Sequence, residues 1–109
     1  MESKLDIPQG MLDLLILTIV SRAPIHGYGI AQRLTELTKG TFQVNPGSLF
    51  PALYRLEQDG KLSAEWQATE NSRNAKYYRL TRQGKKQLGE EQRYWDRINM
   101  AIASVLEGA

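Results

Sequence analysis

Cysteine is absent from the chain, and histidine occurs once, at His26. The first absence excludes disulfide frameworks, thiolate metal sites and cysteine nucleophiles. The second leaves no ligand-spaced set of histidines and carboxylates, and Ser48 has no base beside it in the sequence. A glycine-rich loop of the phosphate-cradling kind is also missing. Together these argue against an enzyme, and no cofactor or metal is expected. His26 itself reads as a loop or capping residue. No apolar run approaches the ~18 residues of a membrane span. The most apolar stretch, Leu14 to Val20, follows Asp13, contains Thr18 and has no basic region before it. It is neither a membrane segment nor a signal peptide, and a cytoplasmic protein is expected.

Strong net charge is lacking too, since 14 basic residues stand against 12 acidic ones. The distribution says more than the sum. Residues 39–86 hold nine bases and four acids, whereas both flanking segments are net acidic. A length of 109 residues allows one domain with one modest core.

The basic segment contains the most structured stretch of the sequence, from Asn45 to Gly60. Asn45 suits an N-cap, Pro46 the first helical position and Gly60 a left-handed stop. Leu49, Leu53 and Leu56 recur at helical spacing and face a core. The opposite side presents Ser48, Pro51, Tyr54, Arg55 and Gln58. That face is short-chained and cationic without i,i+4 charge pairs, as a helix lying in a DNA groove requires. Pro51 admits two readings. Either the helix starts at Pro46 and the proline is interior, or Ser48 is the effective cap and the proline lies in the first turn.

Around this helix the chain divides readily. Residues 1–8 form a short polar arm ending at Pro8. Gln9 to about Ser21 is a helix whose apolar residues exceed one stripe, which implies cover from a partner chain. A break at Pro24 precedes a second helix opened by Gly27–Ile30, with Ile30, Leu34 and Leu37 on one face and Lys39-Gly40 at its end. Tyr28 reads as a packing residue with its hydroxyl at the surface. Thr41–Val44 is an extended turn into Asn45. Leu62–Gln67 is a strand with Leu62, Ala64 and Trp66 alternating; Glu70–Asn74 is a turn, and Lys76–Leu80 is the returning strand. Helices, a tight connection and a third two-faced helix followed by a hairpin make a mostly α, α+β winged helix-turn-helix with a two-stranded wing. Arg73 at the tip, with Lys76 and Arg79 on the strand, is expected to meet DNA.

Thr81 caps a terminal helix in which Gly84 is a weak spot. Leu88, Trp95 and Ile102 recur every seven residues, as do Ile98 and Val105, with Glu91 as the misfit. The stripe is too long for a small domain to cover, so a homodimer is expected, with residues 1–80 as the DNA-binding unit and 81–109 as its dimerisation helix. The competing reading is a coiled-coil protein-interaction module of winged-helix fold without specific DNA binding.

Three runs resemble the PadR family of bacterial transcriptional regulators. They are His26-Gly27-Tyr28-Gly29-Ile30, the segment from Pro46 to Gly60, and Lys76-Tyr77-Tyr78-Arg79-Leu80-Thr81-Arg82-Gln83-Gly84. The likeness spans about Gln9 to Leu106. The length resembles the short form of the family, and the wing from Glu70 to Tyr78 resembles an acidobacterial subgroup. The resemblance implies a homodimeric repressor whose recognition helix enters the major groove of a double-stranded operator, with the wing on the adjacent minor groove or backbone. It carries Ser48, Pro51 and Arg55 over as DNA-facing, and Asn45 stands beside them at the helix start. Phe50 departs from the family's common tyrosine, and Asn74-Ala75 replaces a proline or extra arginine at the wing. The resemblance also offers Trp95 as a stacking residue for a small aromatic effector, beside its reading as dimer packing.

Overall fold

The computed structural model describes residues 4–8 and 10–108; residues 1–3 of the expected arm and Gln9 lie outside them. The order is β1 (Leu5–Asp6), α1 (Leu12–Arg22), β2 (Ile25–His26), α2 (Gly27–Leu37), β3 (Phe42–Gln43), α3 (Pro46–Gln58), β4 (Leu62–Ala68), β5 (Asn74–Leu80) and α4 (Arg82–Gly108). The architecture is an α+β winged helix-turn-helix with a long C-terminal helix.

α1 is the hub. It starts at Leu12, later than its apolar pattern suggests, after Gly10 in the left-handed region and a turn bond from Met11 N–H to the Pro8 carbonyl. Ile16, Leu17, Ile19 and Val20 are buried, and α2, α3, β5 and α4 all pack on it. Much of the apolar excess is covered by the chain itself, while Met11, Leu12, Leu14 and Leu15 stay partly exposed. Leu49, Ala52, Leu53 and Leu56 of α3 and Ile30 and Leu34 of α2 close the core from one side, and Leu62 and Tyr78 from the other. A fully buried leucine such as Leu53 contributes on the order of 2–5 kcal/mol against alanine.

The helix boundaries have local causes. His26 caps α2, its Nδ1 accepting from Gly29 N–H at 3.0 Å. α2 stops where Lys39 and Gly40 both take positive φ. Asn45 Oδ1 accepts from Gly47 N–H at 2.8 Å, Pro46 occupies the first helical position and Gly60 turns at φ +76. The helix begins at Pro46, so Pro51 is interior and withholds one backbone hydrogen bond, with its ring on the exposed face.

β4 and β5 form the antiparallel wing in the register Leu62↔Leu80 to Ala68↔Asn74. β2 adds a short third strand on the far side of β5, pairing Ile25 with Tyr78. The arm and the extended 41–44 segment are also more ordered than expected. β1 and β3 pair in parallel, and Gln43 Nε2 donates to Asp6 Oδ1 at 2.9 Å.

α4 has 27 residues, about 40 Å of helix. Thr81 caps it, accepting from Gly84 N–H at 3.0 Å and donating to the Gly60 carbonyl at 2.7 Å. Gly84 is not the weak spot its composition suggests. It is buried against the Lys61 carbonyl and Leu80, and a side chain there would overlap both. No helix among the described residues is long and apolar enough to cross a membrane.

Candidate nucleic-acid interface

The core stripe of α3 fixes what its other side offers. With Leu49, Leu53 and Leu56 turned inward, Asn45, Ser48, Pro51, Tyr54 and Arg55 are exposed. They form a ridge that begins with the cap and ends in a cation. Asn45 already commits its carbonyl oxygen to the cap. Ser48, Pro51 and Arg55 border a groove of about 450 Å³ toward the start of α1. Tyr54 lies nearer the wing.

Arg55 is not loose. Its Nη2 donates to Asp13 Oδ1 of α1 at 2.7 Å. That bond, opposed by some desolvation and reinforced by the charges of Asp13 and Asp59, holds the guanidinium's pKa above its ordinary value. Arginine is charged at any physiological pH regardless, so the contact sets direction and not protonation.

The wing residues separate. Arg73 is exposed at the tip, beside Ser72 at φ +61, and its carbonyl accepts from Thr69 N–H. Lys76 does not project freely, as the sequence reading expected. Its Nζ lies 2.7 Å from Glu57 Oε1 and 5.8 Å from the centroid of the Tyr78 ring, tying the wing to α3. The bond to Glu57 raises the lysine pKa, against a smaller desolvation effect. Arg79 lies on the opposite face of the sheet, because residues three apart on a strand point apart. It is exposed but stands away from the Lys76–Glu57 side.

Trp66 keeps the expected alternation in β4. It shares the inner face with Leu62 and Ala64, yet it is 69% exposed because the strand outruns the core. It borders a groove of about 500 Å³ between the wing and the start of α2, together with Tyr28, Phe50, Arg73 and Lys76. Phe50 lies under Tyr28, edge to face at 5.3 Å, and fills the space that Gly27 leaves open. Tyr28, 73% exposed, is itself a surface aromatic rather than a packed one. Charge spacing alone could not have found this pair.

On α4, Leu88 is partly buried and packs against the chain's own core. Trp95 and Ile98 are half-buried. The Trp95 ring meets Tyr94 edge to face at 5.6 Å, and its indole N–H is buried without a hydrogen-bond acceptor among the described residues. Beyond them Ile102 and Val105 are exposed, as are Met100 and Leu106.

The model of the transcriptional regulator PadR-like family matches residues 16–90 of this chain, from the middle of α1 into α4. The chain belongs to the PadR-like family. It is therefore a transcriptional regulator of that family, which is not a family of enzymes. This PadR-like chain is 31% identical over 100 residues to the transcriptional regulator YqjI of Escherichia coli, covering 92% of itself and 46% of that protein. It thus spans about half the length of that relative. Among solved structures, a Streptococcus mutans protein is 34% identical, with a TM-score of 0.80 over 90% of this chain and 88% of the other. A PadR-like transcriptional regulator from Bacillus cereus is 27% identical, with a TM-score of 0.79 over 93% and 96%.

Proposed function

We propose that this PadR-like regulator is a homodimer that binds a double-stranded DNA operator sequence-specifically in the cytoplasm and represses transcription there. Residues 1–80 are the DNA-binding unit, and 81–109 join the two copies. α3 enters the major groove with Asn45, Ser48, Pro51, Tyr54 and Arg55, and the tip of the wing, led by Arg73, meets the adjacent minor groove or backbone. Lys76 braces the wing, and Arg79 adds positive potential without a fixed contact. The single observation that carries this reading is the exposed ridge of α3, ending in Arg55 and flanked by the wing. Support for the dimer comes from Ile102 and Val105, 52% and 68% exposed on a helix that outruns its domain.

Selection of bound sequences from a random DNA pool tests the reading and yields half-site spacing with it. Titration of the selected site at two salt concentrations should show a steep loss of affinity with salt, because each phosphate contact releases counterions. Weak binding that salt does not change would instead favour a protein-interaction module. Trp95, whose indole N–H has no acceptor among the described residues, is the proposed stacking surface for a small aromatic effector. Planar aromatics that neither quench its fluorescence nor release DNA would remove that part.

A further inference from the structure

We propose that Asp13 is a positioning residue for sequence discrimination, acting through Arg55; this rests on the DNA-binding reading of α3. Asp13 lies in the first turn of α1, where the helix dipole favours a carboxylate. Its side chain is more than three-quarters covered, while that of Arg55 is about half exposed. The acid is seated and the cation is presented. Arginine carries five N–H donors, and the 2.7 Å contact to Asp13 engages Nη2. The remaining donors form the fork that reads a guanine edge or grips a phosphate.

Exposed ion pairs add little to stability, so stability is a poor explanation for this one. Its effect on the arginine is larger. A long side chain free to rotate loses conformational freedom when it docks, and a tethered one has lost much of it beforehand. The tether also has a cost for general binding, since Asp13 sets a negative charge beside the surface that meets phosphates. One residue thus weakens attraction to any DNA and sharpens the choice of one sequence. The pair joins positions 42 apart in the chain, which makes the start of α1 part of the reading head although it touches no base.

The test uses the full chain as parent, Asp13→Asn, Arg55→Ala and the double variant, against the selected operator and a scrambled duplex at fixed salt. Asp13→Asn keeps shape and removes charge. It should bind the scrambled duplex more tightly than the parent and lose about tenfold in discrimination. Its base preference should relax at the same operator position as that of Arg55→Ala, and the double variant should lose no more than Arg55→Ala alone. If Asp13→Asn keeps full discrimination while Arg55→Ala loses it, the positioning role is wrong and the DNA reading stands. Parallel loss of specific and scrambled binding means that Asp13 is merely structural, which also overturns the role. A parent that selects no sequence, or an Arg55→Ala variant that discriminates as the parent does, overturns the reading beneath it.

Discussion

Replacing Gly84 by alanine should destabilise the protein although glycine is a poor helix former. A methyl group at this position would overlap the Lys61 carbonyl oxygen and come within 2.6 Å of Leu80 Cδ1. The carbonyl cannot easily withdraw, because it also accepts from Thr81 N–H at 3.2 Å. Helix propensity favours alanine by about 1 kcal/mol. Overpacking costs about 1–3 kcal/mol, and a backbone neighbour places this site at the upper end. The net expectation is a loss of about 2 kcal/mol. Gly89 in the same helix is the internal control. Its nearest neighbour is the Arg93 guanidinium at 3.3 Å, which can swing away, so Gly89→Ala should gain about 1 kcal/mol. Urea unfolding at one protein concentration measures both. With a slope of about 2 kcal/mol/M, Gly84→Ala should shift the midpoint down by about 1 M. A midpoint at or above that of the parent would refute the close-approach argument.

Three further outcomes are expected. Leu53→Ala should cost about 2–5 kcal/mol by leaving a cavity between α3 and α1, read from the same unfolding curves. Ile102→Asp places a charge in the exposed stripe of α4, so sedimentation should show a folded monomer, and an unchanged dimer would disprove the α4 seam. Stability should fall in alkali. Lys76 has its pKa raised above 10.5 by Glu57, so its contribution is complete below 10.5 and is lost as pH rises through the raised value. Burial raises the Tyr78 pKa above 10.0, so the unfolded chain ionises first and the same trend is reinforced. Lys76→Met should flatten the lysine part of that decline in a pH series of unfolding midpoints.

The recognition helix was legible because its punctuation is local. Asn45, Pro46 and Gly60 each act within a few residues of the boundary they set, and the structure places both ends there. Contacts between distant segments were not legible. Asp13–Arg55 and Glu57–Lys76 join residues whose proximity depends on how helices and wing pack, and no spacing rule encodes it. Trp66 keeps its alternation with Leu62 and Ala64, but its exposure was not legible, because a residue on the core side of a strand is buried only where something lies opposite. The apolar surplus of α1 was legible as a need for cover, but which of the chain's own elements supply part of it depends on long-range packing. Gly84 shows the converse error: propensity sees a missing side chain, while packing sees the space that it would have filled.

The junction at the start of α4 has a mechanical consequence. Thr81 bonds to the Gly60 carbonyl and Gly84 is seated on Lys61, so the root of the long helix is fastened to the exit of α3 with no flexible hinge between them. If two copies join along α4, the gap between their reading heads is set by the angle at which the long helices cross. Such an assembly behaves as a caliper locked at one opening. Inserting one base pair at an operator's centre rotates one half-site by about 35°, given about 10.5 base pairs per turn, and a locked caliper cannot follow.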